Sequence, residues 1–373
     1  MIFIRQILAL LIVFAAPIAL ADDPNSLLSL LEQKKYLEIE KRISDAAQQA
    51  DRSATREPEL TNLLDQFYSP QASLEQQLNA WVQARGASYI PYLARGIHLD
   101  SMGWSHRGTK YISETSGKQL DGMQFYFEKS YKDFAKSLEI EPRQASAQLY
   151  MIEIAMNYGD RELPEKLYRH ALAHRPNSLA ARWYYLSSLL PRWGGTLDQM
   201  SSVIKASRAL HQANPNLKVL EGRISAEQGD QAYFAGQYAE AMNAYKQALS
   251  TGEHWYYLKQ QGEVLLRTGQ LEASVNSLSK AISQRPAYWR AYDQRGVAYQ
   301  AMGKHVEAIR DFTVAIRNAE GGSRLINARG ESYLALNKSR EALRDFEEAL
   351  RQDPSNTDYI SNRDKAKSLP PSR

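Results

Sequence analysis

The sequence predicts an all-α protein built largely from stacked helical hairpins. Four glycines, Gly229, Gly262, Gly296 and Gly330, recur at intervals of 33, 34 and 34 residues. Twelve residues after each glycine stands a small residue, and four residues later stands a large one. Small residues let paired helices approach closely, and large ones fill the space between hairpins, so the pattern indicates a helical repeat array. The pairs are Ala241 and Tyr245, Ser274 and Leu278, Ala308 and Phe312, and Ala342 and Phe346.

Each predicted hairpin also has a turn near its middle. Gly236, Gly269, Gly303 and Asn337 supply there the left-handed residue that ends a helix. Together these features resemble the tetratricopeptide repeat, whose two helices pack antiparallel. The resemblance implies a right-handed superhelical array over residues 214–355, with the first helix of each hairpin on the concave surface. Repeats of this family serve as binding scaffolds far more often than as catalysts.

A less regular helical region with degenerate repeats is predicted for residues 22–213. Apolar periodicity indicates its helices, and prolines separate several of them. Four glycines with polar residues between them predict a long loop at residues 103–122, and such a loop is usually functional or a packing device. The helical segments are Ser26 to about Gln49, Leu60–Tyr68, Ser73–Arg85, Ile90 to about Met102 and Met123–Ile140, followed by hairpins at Ala145–Ala173 and Ser178–Asn214.

Both ends of the chain have distinct sequence features. Residues 1–21 combine Arg5, an apolar stretch and an Ala-Leu-Ala triplet, the pattern of a secretory signal peptide cleaved after Ala21. An uncleaved signal anchor is the alternative, but 14 apolar residues are short for a membrane span. We therefore expect an exported, periplasmic protein with no transmembrane segment after cleavage. Residues 356–373 predict a polar capping helix and a tail.

Composition excludes several classes of function. The chain contains no cysteine, so disulfides, thiol catalysis and cysteine-bound metals are excluded. The net charge of +4 is too small for a general nucleic-acid-binding protein. No Gly-x-Ser-x-Gly, Gly-Lys-Ser/Thr or His-Glu-x-x-His motif occurs, so we assign no catalytic residue.

Histidine spacing offers only weak metal-site alternatives. His170 and His174 are four residues apart on a predicted helix, but no third ligand has a suitable spacing. His98, His106 and Glu114 surround the predicted loop without a recognised ligand pattern. No metal or other cofactor is therefore predicted.

Two further motifs resemble a bacterial family of unknown function that is fused to tetratricopeptide-like helices. They are Gly-Trp-Ser-His-Arg-Gly at residues 103–108 and Leu-Leu-Pro-Arg-Trp-Gly-Gly at residues 189–195. The resemblance covers roughly residues 60–213 and implies no activity.

These two motifs contain four candidate pocket residues: Trp104, Arg107, Arg192 and Trp193. One interpretation is that they lock turns, with Arg107 over the face of Trp104. The other is that they line one pocket, because aromatic faces and guanidinium groups suit a sugar or an anion.

The repeat resemblance places a second candidate site on the concave surface. Basic residues recur near the start of the first helices, and tyrosines lie beside them, which suits a partner segment with acidic side chains or a free carboxylate. The alternative is a solvated groove whose charges are balanced by Asp230, Glu263, Asp293 and Glu331. The groove candidates are Arg223, Tyr233, Tyr256, Lys259, Arg267, Arg290, Arg324 and Asn327.

The favoured function is an exported scaffold that binds a protein or peptide segment in this groove. The alternative is a ligand-binding or enzymatic module centred on the Trp104–Gly122 loop and the Arg192–Trp193 turn. A pocket joining Trp104 to Trp193 would favour the alternative, and an open groove would favour the scaffold. Arg295–Asp311 and Arg329–Asp345 are predicted ion pairs between paired helices, because the spacing of 16 residues places both partners on facing helices.

Overall fold

The computed structural model describes residues 25–108, 115–319 and 322–369. Within these ranges all regular structure is helical, which confirms the all-α prediction. The predicted signal peptide, its cleavage site and Glu114 lie outside the described residues. The α-helices are α1 Leu27–Glu32, α2 Tyr36–Arg52, α3 Glu57–Leu64, α4 Ala72–Arg85, α5 Ile90–Arg107, α6 Gly117–Ile140, α7 Ser146–Asn157, α8 Leu163–His174, α9 Leu179–Ser188, α10 Leu197–Arg208, α11 Arg223–Phe234, α12 Tyr238–Leu249, α13 Trp255–Arg267, α14 Leu271–Gln284, α15 Trp289–Ala301, α16 His305–Asn318, α17 Ser323–Ala335, α18 Ser339–Gln352 and α19 Thr357–Ser368.

The helices from α11 to α18 form four successive hairpins, as the 34-residue period predicts. The repeated glycine allows each pair to pack closely. A Cβ atom at Gly296 would lie 2.8 Å from Cε1 of Phe312, closer than real Cβ contacts allow. The turn glycine Gly303 has φ +72°, the left-handed conformation that ends α15. Helix α19 buries Tyr359 and Ala366 against the last hairpin, so the predicted capping helix is present.

Both predicted ion pairs between helices are present. Arg295 Nε and Nη2 donate to the two carboxylate oxygens of Asp311 at 2.7 and 2.8 Å. Arg329 makes the same paired contact with Asp345, at 2.8 Å for both bonds. These bidentate pairs join the first helix of a hairpin to the second, and one of them is nearly fully buried.

The prediction of a long loop at residues 103–122 is wrong. Helix α5 continues to Arg107 and α6 begins at Gly117, so residues 108–116 connect them. Two of its four glycines are at close helix contacts instead: a Cβ at Gly103 would lie 2.5 Å from the Phe127 ring, and one at Gly122 would lie 2.6 Å from His106. The gap between the predicted segments that end at about Gln49 and begin at Leu60 is also shorter than expected, because α2 continues to Arg52 and Pro58 lies in the first turn of α3.

The hydrophobic core is one large cluster in the N-terminal part of the chain and several small clusters in the repeat array. Its largest buried cluster runs from Leu27 to Leu167 and joins α1 to α8 in one packed unit. Beyond it lie several smaller clusters between neighbouring hairpins, as expected where each repeat contacts only its neighbours. Within the described ranges, no helix is both long and apolar enough to span a bilayer.

A buried ion pair connects these two parts. Arg285, just after α14, donates through Nε and Nη2 to Asp65 at 2.6 and 3.0 Å. The two residues are 220 positions apart in sequence. The repeat array therefore folds back against the N-terminal unit, and the space between them forms the cavity described next.

Candidate binding cavity

A cavity of about 1100 Å³ lies between the N-terminal unit and the repeat hairpins. Residues of α3, α5, α7 and α9 form one side, and the first turns of α11, α13, α15 and α17 form the other. The first turn of each of these four helices carries the positive end of the helix dipole. The cavity is therefore a partly open space that both halves of the chain line, with arginines and carboxylates in its walls.

The cavity brings the two predicted sites together. Trp104, Arg192 and Trp193 from the candidate pocket line the same space as four of the candidate groove residues. Those four are Arg223, Tyr256, Arg290 and Arg324. The sequence predicts pocket and groove as alternative sites, whereas in the structure part of each lines one cavity.

Tryptophan dominates the aromatic lining. Five of the six tryptophans in the chain line the cavity, and all five are half-buried. Their rings therefore combine rigid packing with faces that a ligand can contact. The five are Trp104, Trp183, Trp193, Trp255 and Trp289.

The most buried cation of the lining is Arg223, which is 2% exposed. Its guanidinium carbon lies 5.2 Å from the ring centre of Trp183 and 5.3 Å from that of Tyr256. Both aromatic faces attract the cation. Nε and Nη1 of Arg223 are buried without a hydrogen-bond partner. We call Arg223 with these two rings the Arg223 site.

Neighbouring contacts fix both rings of the Arg223 site. Asp230 accepts a 2.5 Å hydrogen bond from the Tyr256 hydroxyl, and burial together with Asp230 raises the pKa of Tyr256 well above its usual value. The imidazole of His254 stacks on Trp183 with ring centres 3.8 Å apart. Burial lowers the pKa of His254 well below its usual value, so the stacked ring is neutral near pH 7.

Helix α9, which carries Trp183, is anchored by a distant carboxylate. Glu57 is buried and accepts hydrogen bonds from the backbone N–H groups of Leu179 and Ala180 at 2.8 and 3.0 Å. Its second oxygen accepts the Ser178 hydroxyl at 2.5 Å. A carboxylate at a helix N-terminus satisfies unpaired donors and complements the helix dipole. These bonds fix the N-terminus of α9 and so help to position Trp183 in the cavity wall.

Two carboxyl groups with raised pKa values lie in or beside the cavity lining. Burial raises the pKa of Glu153 to about 7, while Arg285 and the nearby Trp104 indole oppose this rise and Asp65 adds to it. Asp100 lies beneath, fully buried, and neither of its oxygens has a hydrogen-bond partner. Burial, with Glu153 as a second cause, raises the pKa of Asp100 well above its usual value. Glu153 in the lining and its buried neighbour Asp100 are therefore protonated more readily than ordinary carboxyl groups.

Comparison with known families agrees with both halves of the fold. Residues 25–168 match the family described as "Domain of unknown function (DUF4034)". Residues 323–356, which form α17, α18 and the turn after them, match the tetratricopeptide repeat family. The hairpins from α11 to α18 thus form a solenoid of the tetratricopeptide type, and the family match itself covers the last of them. The first match begins earlier than the expected residue 60 and ends before the motif at residues 189–195. No curated protein matches the chain.

Several solved structures are similar to parts of the chain. MamA residues 41 to the end from Desulfovibrio magneticus RS-1 is 16% identical, covering 39% of this chain and 89% of that one with a TM-score of 0.37. The second tetratricopeptide domain of human RPAP3, in complex with the HSP70 peptide SGPTIEEVD, is 28% identical over 30% of this chain and 92% of its own, with a TM-score of 0.29. YrrB, titled a tetratricopeptide protein with an unusual peptide-binding site, is 16% identical over 63% of this chain and 98% of its own, with a TM-score of 0.34.

Four predicted groove residues lie on the tetratricopeptide array outside the cavity lining. Their polar groups bind one another or nearby partners. Lys259 pairs with Glu263 at 2.6 Å, and the Tyr233 hydroxyl donates to the same carboxylate at 2.8 Å. Arg267 Nε donates to Tyr233 at 3.2 Å, and Asn327 donates to Glu331 at 2.8 Å. The balanced-charge interpretation of the groove therefore describes this outer part.

The structure places the predicted site residues Arg107, Arg324 and Trp104 in different surroundings. Arg107 lies outside the lining, with its guanidinium carbon 5.8 Å from the Trp104 ring centre, as the turn-lock interpretation expects. Arg324 lines the cavity but binds Asp293 at 2.5 Å, so its charge is balanced as well. Trp104 belongs to α5 rather than to a loop.

The structure gives the histidine alternatives ordinary packing roles. His170 hydrogen-bonds to Gln148 at 2.8 Å, and its ring contacts that of His174. His98 bonds the Ser69 carbonyl at 2.6 Å, and His106 stacks on Tyr126. Among the described residues, no group of three or more histidine, aspartate or glutamate side chains is arranged to hold a metal ion.

Sequence reasoning missed the residues that connect the two cavity walls. Trp255 and Trp289 are 34 residues apart, each seven residues before a repeat glycine, so the period itself could have indicated them. Trp183 and Asp65 belong to the degenerate region, where no repeat register relates them to the array. No local signal identifies these two.

Proposed function

We propose that this protein is an exported binding protein that holds a segment of a partner polypeptide inside the cavity. The observation that supports the proposal most is the cavity of about 1100 Å³ between the tetratricopeptide array and the N-terminal unit. Small-molecule sites usually measure roughly 300–1,000 Å³. A cavity at or above this limit suits several linked residues better than one small metabolite.

The chemistry of the lining supports a segment that is acidic and aromatic or apolar. Exposed Arg192 and Arg290 supply positive charge at the surface of the cavity, and Arg223 supplies it deeper. Half-buried tryptophans between them provide faces for apolar side chains. Arginine forks recognise carboxylates by paired hydrogen bonds. The proposed partner segment therefore carries at least one carboxylate near an apolar side chain.

The experiment selects ligands from a displayed library of random heptapeptides. Enriched acidic peptides should bind the wild-type protein and lose at least tenfold in affinity with Arg290→Glu or Trp193→Ala, because both residues line the cavity. Arg267→Glu is the matched control, since Arg267 is an array arginine outside the lining. Equal losses in the control and the cavity variants would contradict the proposal.

Export predicts that protein recovered from the periplasm begins at Asp22, and recovery with Met1 intact would contradict it.

A second candidate function is the binding or processing of an acidic saccharide. The five cavity tryptophans favour it, because flat aromatic faces suit sugar rings as well as apolar side chains. The readily protonated Glu153 in the lining would suit general acid–base chemistry on such a ligand. Titration with acidic oligosaccharides distinguishes the two: binding that competes with the selected peptides in the wild type and fails in Trp193→Ala would favour the saccharide.

A further inference from the structure

Arg223 differs from the other buried arginines of the described chain. Four arginines there are less than 9% exposed: Arg175, Arg182, Arg223 and Arg295. Arg175 pairs with Asp51, Arg295 pairs with Asp311, and Arg182 donates to the carbonyls of Pro176 and Ser178. Arg223 alone among these four has two buried donors, Nε and Nη1, without a partner. Buried polar groups nearly always have partners, so these donors require an explanation.

The nearby carboxylates do not supply those partners. Asp230 already accepts hydrogen bonds from Tyr245, Tyr256 and Gln260 at 2.8, 2.5 and 2.6 Å. Glu227, one turn along α11, has one oxygen that is 3.8 Å from Arg192 and makes no hydrogen bond.

Two cations, Arg192 and Arg223, thus surround the partly engaged carboxyl of Glu227. Burial raises its pKa, although both arginines oppose the rise. The first turn of α11, which carries Arg223, adds the positive end of a helix dipole.

Because the guanidinium lies 5.2 and 5.3 Å from two aromatic ring centres, its orientation is restricted before a ligand binds. Fixing a binding group in advance reduces the entropy lost when the ligand arrives. An unpaired buried cation is costly to stability, and strained or unsatisfied groups of this kind are typical of binding sites. Arg223 is also part of the cavity lining, so an anion inside the cavity could reach the site.

From this geometry we infer that the Arg223 site binds an ionised carboxylate of the partner segment, from an acidic side chain or from a free C-terminus. The inference rests on the proposed function, because it names the group by which the cavity recognises a peptide. The carboxylate would accept from the unpartnered guanidinium donors, while the residue beside it contacts Trp183 or Tyr256.

The test measures binding of four probes by tryptophan fluorescence and calorimetry. N-acetyl-phenylalanine carries a free carboxylate, and N-acetyl-phenylalaninamide is its neutral match. N-acetyl-glutamyl-phenylalaninamide moves the carboxylate to a side chain, and inorganic phosphate is an anion without a peptide. The variants are Arg223→Gln and Arg223→Lys, with Arg267→Gln as the control outside the cavity. Helical melting followed by circular dichroism establishes that each variant is folded.

We expect the wild-type protein to bind one or both carboxylate probes at least tenfold more tightly than the amide. Arg223→Gln should abolish this preference, Arg223→Lys should restore part of it, and Arg267→Gln should leave it unchanged. The comparison of the two carboxylate probes identifies the source of the group.

Each other outcome separates this inference from the proposed function. Equal binding of acid and amide by the wild type, or a preference that survives in Arg223→Gln, overturns the inference and leaves peptide binding in place. If only phosphate binds, and Arg223→Gln abolishes it, the anion site stands and the peptide function fails. If no probe binds, the inference is overturned, and the heptapeptide selection alone decides the proposed function.

Discussion

At the scale of single residues, arginine does two kinds of work in this protein. Arg295 is buried with its charge fully matched by two hydrogen bonds to Asp311, so the pair joins two helices. Arg223 is buried with two unpartnered donors, which is the observation behind the proposed carboxylate site. Buried arginine therefore joins two helices at one position, and at the other we propose that it binds a ligand.

The Arg295–Asp311 pair gives a prediction at this scale. Arg295→Met or Asp311→Leu alone should destabilise the protein by about 3–5 kcal/mol, because each leaves its partner buried and unpaired. The double variant should lose clearly less than the sum of the two, because it leaves no unpaired charge. Denaturant unfolding of the four proteins measures the cycle. Strictly additive losses would show that the pair does not interact.

At the scale of elements, glycine sets the distance between paired helices. Gly96 and Gly103 bring α5 against the rings of Phe134 and Phe127 on α6, just as Gly296 does in a repeat hairpin. A hairpin of the N-terminal unit thus uses the same packing device without the 34-residue spacing. This is why glycines that look like loop residues in the sequence lie inside helices.

Replacing one such glycine tests the device. Gly296→Ala should cost about 1–3 kcal/mol, because the new Cβ would lie 2.8 Å from Phe312 and the ring or backbone must shift. Gly117→Ala is the control: a Cβ at this position, in the first turn of α6, has no neighbour within 4 Å. Thermal melting should therefore show a loss for Gly296→Ala only. A melting temperature that is unchanged or higher for Gly296→Ala would contradict close packing at this position.

Sequence reasoning was most successful where spacing repeats. The period placed the hairpins, the Arg295–Asp311 pair and the capping helix, because local pattern determines all three. It failed at residues 103–122, where close packing by glycine has the same composition as a loop. The cavity could not be predicted as one site, because Asp65 and Arg285 meet across 220 residues and no local signal relates them.

At the scale of the whole molecule, the array closes against the N-terminal unit. Arg285 reaches Asp65 and also lies over the Trp255 ring, with its guanidinium carbon 4.5 Å from the ring centre. Glu153 faces this junction and is affected by both charged groups. The junction therefore combines the contact that forms the cavity with a carboxyl group that titrates near neutral pH.

This arrangement predicts that stability depends on pH. The pKa of Glu153 is about 7 in the folded protein and about 4.3 in an unfolded chain. The folded state therefore binds the proton more tightly, and the resulting stabilisation is complete below pH 4.3 and lost as the pH rises through 7. Glu153→Gln should reduce the fall in melting temperature between pH 5 and 8, although buried Asp100 retains part of it. Glu253→Gln, at an exposed lining residue, should leave the fall unchanged, and an identical fall in Glu153→Gln would contradict the assignment.

The ion pair between Asp65 and Arg285 also has a thermodynamic consequence. Both walls of the cavity exist together only while the array is closed, so a ligand that contacts both walls binds the closed form alone. Its apparent affinity is then the intrinsic affinity multiplied by the fraction of molecules that are closed. By the same linkage, a bound ligand strengthens the closure by as much as the closure strengthens binding. If the proposed ligand contacts both walls, the strength of the Asp65–Arg285 contact therefore helps to set how tightly the ligand is held.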